Sequence, residues 1–203
     1  LARTLDEALS WARSIGYPVA LKVESPDIAH KTEAGVLKLA IRDEEELKEA
    51  YQKLMDNARR HKPQAKILGV LVQEMAAPGT EVIVGMTRDP QIGPAILFGL
   101  GGIFVEVMKD VSLRVLPILR HEADEMVREI KASRILEGYR GKPPVDLDAI
   151  KSILLKVAQL SAELGPLISE LDINPIIVLE KGKGAIAVDA LMSVRMETAQ
   201  AKR

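Results

Sequence analysis

The sequence contains no cysteine among its 203 residues. Disulfide frameworks, thiolate nucleophiles and cysteine metal sites are therefore excluded, and the absence fits a protein of the reducing cytoplasm. No apolar run approaches the roughly 20 residues that a membrane helix requires, so we expect no membrane partner. The formal net charge of −1 offers no global attraction to nucleic acid. We therefore expect a globular protein of the cytoplasm that binds neither membranes nor nucleic acids.

The composition is that of an ordinary globular protein, with 47% hydrophobic and 28% charged residues. A chain of this length can form one large domain or two small subdomains, with a core that needs no disulfides. Leu1 is not preceded by a methionine, and a helical pattern starts almost at once. We interpret the chain as a fragment without its native N-terminus rather than as a protein with a signal peptide.

Hydrophobic periodicity and turn residues predict an α+β protein built on antiparallel strands. Thr4 caps a first helix, Asp43 caps a second, and two more are expected over 121–132 and, behind Asp146, over 147–164. The predicted strands are 19–23, 36–41, 67–74, 81–86, 95–98, 104–107, 113–116, 173–179 and 185–190. Neither a GxGxxG motif nor a Walker lysine motif is present, so the standard nucleotide fingerprints do not apply and a Rossmann domain is not indicated.

A charge-dense loop with a histidine at its centre lies between the first two predicted strands. It runs from Ser25 to Gly35, with His30 in the middle. Loops held on rigid strands commonly display functional residues. An imidazole in such a loop can serve as an acid, a base, a metal ligand or a nucleophile near neutral pH. The residues alone leave these roles open.

Two further features suit the recognition of phosphate groups. Lys22 lies inside an apolar predicted strand, where an uncompensated ammonium group would be costly. It is either a phosphate ligand in a cleft or a lysine paired with a carboxylate or reaching out from an edge. Gly99, Gly101 and Gly102 follow another predicted strand. Such glycines allow close approach of the backbone, and consecutive amides can bind an anion, although a tight turn explains the same pattern.

Three polar residues in the last quarter of the chain suit a magnesium site. Asp172 and Asn174 are two positions apart, so an extended backbone places them on one face. Asp189 lies inside the predicted strand 185–190, and the hairpin that closes at 181–184 could bring it near them. Two or three oxygen ligands with open positions suit Mg²⁺ that is bound jointly with substrate phosphates. Capping and strand-end roles are the alternative for all three residues.

The end of the third predicted strand could act as a nucleotide hinge. Glu74 and Met75 follow a strongly apolar run and could offer backbone hydrogen bonds to a base. Glu81 opens the next strand and could hold ribose hydroxyls. Ordinary polar residues at strand ends are the alternative. His61 and His121 fall at predicted helix ends, where a solvated histidine is the default.

Together these residues strongly resemble the ATP-grasp domain of ADP-forming acyl-CoA synthetases, in the form of the β subunit of archaeal-type ADP-forming acetate–CoA ligase. The resemblance is carried by YPVALKVESPDIAHKTEAG, by GVLVQEMAAPGTEVIVGMTRDPQIGPAILFGLGGIFVEVMKDVSLRV, and by ELDINP with the later VDA. It covers nearly the whole chain. It implies an ATP-grasp fold of two α+β subdomains with antiparallel sheets, approximately 1–76 and 77–196, which hold the nucleotide between them, and a tail over 197–203.

The resemblance implies that the chain binds ATP or ADP. Lys22 would contact the nucleotide phosphates, and Glu74 with Met75 would form the adenine hinge. Glu81 would face the ribose.

The resemblance also implies a phosphate and metal region. Gly101 and Gly102 would belong to the loop nearest the phosphates. Mg²⁺ would be bound by Asn174 and Asp189, with Asp172 alongside.

In this family, a histidine at the position of His30 is thought to accept the phosphoryl group on its way to ADP. The main phosphohistidine and the CoA site lie in an α subunit, which implies a CoA-binding α subunit as partner, an α2β2 assembly, and no activity without that partner. The reaction would be acyl-CoA + ADP + phosphate ⇌ acid + CoA + ATP. The family pattern has two glycines after this loop, whereas here Gly35 is followed by Val36. We expect the β-branched Val36 to alter the conformation or mobility of the loop.

Two other functions stay open. A different ATP-grasp carboxylate ligase would make an acyl phosphate for attack by an amine, and would act without a CoA-binding partner. A non-catalytic nucleotide-sensing or assembly module would bind ADP but would not depend on His30.

Overall fold

The structure, a computed structural model, describes residues 1–28, 31, 33–102, 105, 108–164 and 167–195. The chain divides into two units, Leu1–Met75 and Ala76–Arg203, called unit 1 and unit 2 below. Each unit has its own antiparallel sheet and its own hydrophobic core. Across the described residues, no helix combines the length and the apolar character needed to cross a membrane.

Unit 1 packs two helices against a three-stranded sheet. Its elements are α1 (Leu5–Ile15), β1 (Val19–Glu24), β2 (Leu37–Ile41), α2 (Glu44–His61) and β3 (Gly69–Glu74). The strand order is β2-β1-β3, and both pairings are antiparallel. Alternate residues Val19, Leu21 and Val23 of β1 join the core with the helices. Ala20 and Lys22 therefore lie on the opposite face of the sheet.

Both helices of unit 1 begin at the predicted caps. The Thr4 hydroxyl accepts a hydrogen bond from the Glu7 N–H at 3.2 Å. In α2 the Asp43 carboxylate accepts from the Glu46 N–H at 2.9 Å. Each cap satisfies an N–H group that has no partner within its helix, which stabilises the helix by about 1 kcal/mol.

Unit 2 is built on a six-stranded sheet. Its elements are β4 (Thr80–Asp89), β5 (Gly93–Leu100), β6 (Val111–Val115), α3 (Arg120–Glu129), α4 (Ser133–Leu136), α5 (Leu147–Leu164), β7 (Ile168–Val178), β8 (Ala185–Ala187) and β9 (Ala190–Val194). The order is β6-β5-β4-β7-β8, and β9 pairs with the first half of β7. All pairings are antiparallel.

Helices α3 and α5 cover one face of the unit 2 sheet. Val82, Val84 and Met86 of β4 are buried in the core that these helices share with the sheet. Burial of each such side chain stabilises the unit by about 1.5–3 kcal/mol. Because successive side chains of a strand alternate, Glu81 and Gly85 lie on the face away from the helices. The candidate residues of β4 are thus on the face that the helix layer does not cover.

The predicted strand 185–190 is wrong, because the chain forms two short strands here. Val188 and Asp189 lie between β8 and β9, opposite Asn174 and Pro175 of β7. Pro175 has no N–H to give to the ladder, so only its carbonyl is used, and it accepts from the Val188 N–H at 3.0 Å. Asp189 is therefore at a break in the sheet and not within a strand.

The predicted helix 121–132 is shorter than expected. Helix α3 ends at Glu129, and the four-residue α4 follows. The N–H groups of Lys131 and Ala132 donate to the carboxylate of Asp110, at 2.8 Å each. They are thus unavailable to carbonyls of the preceding turn, which ends the helix.

The predicted strand 104–107 lies mostly outside the described residues. Its one described member, Val105, has helical rather than extended backbone, so the strand prediction is wrong at that residue. The Val105 N–H donates to the Gly102 carbonyl at 3.2 Å, which turns the chain back on itself.

The predicted helix 147–164 is confirmed to the residue. The Asp146 carboxylate accepts from the Ala149 N–H at 3.0 Å, as expected of its cap. The predicted tail over 197–203 lies outside the described residues.

Candidate functional site

Lys22 occupies the middle of the central strand of unit 1. It pairs with Leu37 of β2 and with Leu71 of β3, and it is only 5% exposed. Its side chain points away from the two helices, as the alternation of β1 requires. A cation buried between apolar strand neighbours is costly unless anionic or hydrogen-bonding groups compensate it. This placement suits a lysine that meets phosphate oxygens.

Glu74 and Met75 are placed at the end of β3 by a contact with the edge strand. The Met75 thioether sulfur accepts a hydrogen bond from the Ala40 N–H at 3.5 Å. Ala40 has a positive φ of 55° and lies where β2 has one more residue than β1. This bulge ties the segment after β3 to β2, while Glu74 itself pairs with Val19 and is exposed.

His30 lies outside the described residues, so its predicted role stays a prediction. The described flanks of its loop are both fixed. On one side, the Asp27 carboxylate accepts from the Lys66 N–H at 2.7 Å. On the other, the Gly35 carbonyl accepts from the Asn57 side-chain amide at 2.7 Å. Side chain–backbone hydrogen bonds therefore hold both ends of the segment.

Val36, which stands where the resembling family has glycine, is completely buried in the core of unit 1. Its carbonyl accepts from the Val23 N–H at 2.9 Å. The positive φ that favours glycine occurs one residue earlier, at Gly35, where φ is 64°. Valine at this position therefore serves packing, and the loop obtains its turn from Gly35.

The glycines at the end of β5 and directly after it each have their own physical reason. A Cβ on Gly99 would lie 2.9 Å from the Asp110 carbonyl oxygen and 3.4 Å from a Val105 methyl group. A Cβ on Gly101 would lie 3.0 Å from the Cβ of Glu81. Gly102 has a positive φ of 60°, which a side chain would make strained. The absence of side chains lets Gly101 pack closely on Glu81 of β4, and lets Gly99 pack closely on Asp110 and Val105.

Glu81 is the residue on which this glycine segment rests. Its carbonyl accepts from the Gly101 N–H at 2.8 Å. One carboxylate oxygen, Oε2, lies 3.8 Å from where a Cβ of Gly102 would be. The Glu81 side chain is exposed at the start of β4. The predicted ribose and phosphate residues of unit 2 are thus in contact with each other.

Asp172 is the centre of an acidic group on the same face of the sheet. It pairs directly with Gly85, and paired residues point to the same side, which is also the side of Glu81. Its Oδ1 is buried without a hydrogen-bond partner. Burial raises the pKa of Asp172 above its usual value, and the negative charges of Glu170 and Asp189 raise it further. Neighbouring like charges and an unmatched oxygen are what a bound cation would relieve.

Asn174 and Asp189 meet across the break in the sheet. The Asn174 N–H donates to the Asp189 carbonyl at 3.1 Å, and the Asp189 Oδ1 accepts from the Ala190 N–H at 3.0 Å. The predicted trio is therefore brought together, through the break and not through a continuous strand.

The oxygens of Asp172, Asn174 and Asp189 suit a Mg²⁺ site that leaves some coordination positions to other ligands. Among the described residues, no three acidic, histidine or cysteine side chains are grouped closely enough to enclose a metal by themselves. Mg²⁺ commonly takes one or two carboxylates and completes its shell with water and substrate phosphates. Asp172 and Asp189, with the Asn174 amide, match that donor set.

Glu81 and the acidic group are separated by a distance that suits a nucleotide. Gly85, the partner of Asp172, is four residues beyond Glu81 on β4. At about 3.3 Å per residue this is about 13 Å along the strand. An extended nucleoside diphosphate or triphosphate can span much of that length.

Sequence reasoning missed Glu170 and Asp110. Glu170 completes the alternation of Glu170, Asp172 and Asn174, and that spacing could have revealed it. Asp110, 5% exposed, binds backbone groups more than twenty residues away. No local pattern indicates such a contact.

Comparison with known proteins shows the family of the chain. A family model described as an ATP-grasp domain matches residues 1–194. The chain therefore belongs to the ATP-grasp family. Within it, the chain is 53% identical over 185 residues to subunit beta of acetate–CoA ligase [ADP-forming] II from Pyrococcus furiosus, covering 91% of this chain and 78% of that subunit. It is also 41% identical over 184 residues to 4-hydroxybutyrate–CoA ligase [ADP-forming] from Nitrosopumilus maritimus, covering 91% of this chain and 26% of that protein.

Solved structures confirm the ATP-grasp fold. PH1788 from Pyrococcus horikoshii has a TM-score of 0.90 and 52% identity, over 96% of this chain and 82% of that one. An acetyl-coenzyme A synthetase 1 of Candidatus Korarchaeum cryptofilum, in complex with coenzyme A, Ca-AMPCP and HgCl⁺, has a TM-score of 0.89 and 45% identity, over 96% and 84%. The same enzyme with Mg-AMPPCP has its phosphohistidine segment pointing towards the nucleotide site, with a TM-score of 0.77 and 42% identity, over 95% and 83%.

Proposed function

We propose that this chain is the nucleotide-binding subunit of an ADP-forming acyl-CoA synthetase, which interconverts acyl-CoA, ADP and phosphate with acid, CoA and ATP. The observation that carries the proposal is the shared sheet face of unit 2. There the glycine segment rests on Glu81, and the group around Asp172 lies about 13 Å along the same strand. The identity of 53% to named β subunits supports the choice of reaction.

In unit 1, three residues would recognise the nucleotide. Lys22 would neutralise phosphate oxygens, because its ammonium group is a compact charge on a rigid strand. Glu74 and Met75 would offer backbone groups to the adenine edge. The contact between the Met75 sulfur and the Ala40 N–H holds this hinge in place.

In unit 2, Glu81 would accept hydrogen bonds from the ribose hydroxyls. Gly101 and Gly102 would let the backbone approach the phosphates. Asp172, Asn174 and Asp189 would hold Mg²⁺. When bound, the ion would neutralise phosphate charge and orient the phosphoryl group for in-line transfer.

His30 would carry the phosphoryl group between the partner and ADP. One imidazole nitrogen would attack the phosphorus of a phosphohistidine on the partner, so that a new P–N bond forms as the old one breaks. A terminal oxygen of ADP would then attack that phosphorus, which releases the imidazole and forms ATP. Positioning and charge neutralisation supply most of the catalysis in such transfers.

The partner would be a CoA-binding α subunit, in an α2β2 assembly in the cytoplasm. The relatives at 53% identity are named as β subunits, which supports a separate partner chain. Other relatives act on different acids by name, including 4-hydroxybutyrate and ferulate. The proposal therefore assigns no acid to this chain.

Labelled phosphate tests the relay. The chain is mixed with the α subunit, acyl-CoA, labelled phosphate and ADP, and the label on this chain is followed with time. The wild type should be labelled transiently and should form ATP, whereas His30→Ala should do neither. His121→Ala, which changes an exposed histidine at the start of α3, is the matched control and should behave as wild type. Equal labelling of the His30→Ala chain would contradict the relay, and ATP formation without the α subunit would indicate a different ATP-grasp ligase.

A further inference from the structure

Asp110 is a buried carboxylate whose position is fixed from two directions. It is 5% exposed, and its two oxygens accept hydrogen bonds from the Lys131 and Ala132 N–H groups at 2.8 Å each. Bonds from N–H groups to a carboxylate are stronger than neutral ones and compensate the burial of its charge. Asp110 therefore fastens the chain before β6 to the turn between α3 and α4.

The same residue packs on the glycine segment. Its carbonyl oxygen lies 2.9 Å from where a Cβ of Gly99 would be, a space that stays free only because Gly99 has no side chain. Val105 also approaches Gly99, with a methyl group at 3.4 Å from that point. Asp110 and Val105 thus pack directly against Gly99, near the end of β5.

The backbone of Lys109, directly before Asp110, is strained. Lys109 has a positive φ of 49°, although it is not a glycine. A left-handed conformation is strained in a residue with a side chain, so surrounding contacts must hold it. The two hydrogen bonds of Asp110 are contacts of the next residue.

The outgoing end of the loop is fixed separately. The Gly101 N–H donates to the Glu81 carbonyl at 2.8 Å. The loop is therefore attached to β4 at its start and, through Asp110, to the helical layer at its end.

We infer that Asp110 is a positioning residue that fixes the placement of Gly99 and of the neighbouring Gly101 and Gly102, and so determines affinity for the phosphate part of the nucleotide. The inference rests on the proposed function, because it takes Gly101 and Gly102 as neighbours of the phosphates. Asp110 does not touch the nucleotide. It acts through its close contact with Gly99.

A matched control exists in the same unit. Asp146 also accepts from two backbone N–H groups, those of Ala149 at 3.0 Å and Gly184 at 2.9 Å. It joins α5 to the turn between β7 and β8 and has no described contact with the glycine segment. Asp110→Asn and Asp146→Asn each replace one accepting oxygen by an amide that donates, so both weaken a comparable pair of hydrogen bonds.

Calorimetry on the whole chain with Mg²⁺ compares the binding of ADP and of adenosine. We expect Asp110→Asn to weaken ADP binding about ten-fold, which is the value of one charge-assisted hydrogen bond, and to leave adenosine binding unchanged. Asp146→Asn should change neither. Loss of the negative charge of Asp110 would by itself strengthen the binding of the anionic ADP. A weaker affinity for ADP would therefore result from changed geometry and not from changed charge.

The inference is overturned if Asp110→Asn affects ADP no more than Asp146→Asn does, or affects ADP and adenosine equally. If Asp110→Asn does not fold, Gly99→Ala decides, because its methyl group displaces the Asp110 carbonyl and keeps the carboxylate. Selective loss of ADP affinity in Gly99→Ala would support the inference, and unchanged ADP affinity would overturn it. If the wild-type chain itself does not bind ADP, the proposed function fails as well.

Discussion

Unit 1 and unit 2 use the same architecture, two helices on one face of an antiparallel sheet, but the charged residues on the other face differ. In unit 1 that face holds the buried Lys22 and, two residues further along β1, Glu24, which pairs with Lys31 at 3.9 Å. In unit 2 it holds Glu81, Glu170 and Asp172. Under the proposed function, unit 1 neutralises phosphate directly and unit 2 does so through a cation. On this proposal one packing scheme would serve two chemical tasks, because the sheet face without helices is free to vary.

The largest expected effect comes from the cation of unit 1. Lys22→Met keeps an unbranched side chain that is one atom shorter and removes its charge. We expect ATP formation with the α subunit to fall about 100-fold, because a charged donor aimed at transferred phosphate oxygens is lost. Steady-state rates measure it, with Lys53→Met, an exposed change on α2, as the control. A fall of equal size in the control would refute the special role of Lys22.

The glycines give the next effect. Gly101→Ala puts a methyl group 3.0 Å from the Cβ of Glu81, which is fixed by its strand. Gly35→Ala in unit 1 meets the Asn57 amide nitrogen at 2.9 Å, the group that donates to the Gly35 carbonyl, and its φ of 64° adds strain.

We expect Gly101→Ala to lower the free energy of unfolding by about 1–3 kcal/mol through overpacking and also to weaken ADP binding. Gly35→Ala should cost about 1–2 kcal/mol through the strain of its backbone. Chemical denaturation and calorimetry measure both quantities. Unaltered ADP affinity in Gly101→Ala would separate the glycine segment from the nucleotide.

The raised pKa of Asp172 leads us to expect that the stability of unit 2 depends on pH. Its pKa is raised in the folded state, so the folded chain holds the proton more tightly than the unfolded one, and stability is lost as pH rises from about the ordinary value of 3.8 through the raised value. Asp172→Asn removes this loss and should be more stable than the wild type at neutral pH, by no more than about 1 kcal/mol after solvent screening. Thermal melts over pH 3–8 check this. A variant that is less stable at neutral pH would show that the carboxylate stabilises the fold.

The lowered pKa of Glu46 leads us to expect a smaller pH dependence of stability in unit 1, with the opposite sign. Hydrogen bonds from the Arg42 side chain and N–H group lower the pKa of Glu46 from 4.5 to about 2. Its contribution is therefore complete above pH 4.5 and is lost as the pH falls through about 2. Glu46→Gln should slightly lower stability at neutral pH, by a small amount because the pair is exposed, and should leave it unchanged near pH 2, so the acid limb of the stability curve becomes flatter. An unchanged acid limb would contradict the assignment.

The sequence predicted those parts of the fold that depend on neighbouring residues. Asp146 and the apolar period behind it defined α5 completely, because caps and helical faces are local. The glycine segment contacts Glu81, and Asn174 contacts Asp189, while the binding roles of these residues stay predictions. The break at Val188 and Asp189 was not predicted, because it depends on the missing N–H of Pro175 in a distant strand.

The same limit applies to the candidate site. The raised pKa of Asp172 arises from burial and from the charges of Glu170 and Asp189, and both the burial and the approach of Asp189 depend on how β7 pairs with its neighbours. Asp110 acts through backbone groups of another turn. Residues that position others leave little trace in a local pattern, whereas residues that bind ligands themselves stand out by type and spacing.

The division of charge between the units is tested most directly by ADP binding measured with Mg²⁺ and again with EDTA, for the wild type, Lys22→Met and Asp172→Asn. Lys22→Met should weaken binding under both conditions, because its contact with phosphate needs no metal. Asp172→Asn should weaken binding only when Mg²⁺ is present, with Glu137→Gln, an exposed change in unit 2, as the control. Equal weakening by Asp172→Asn in EDTA, or full affinity of Lys22→Met in EDTA, would contradict the account.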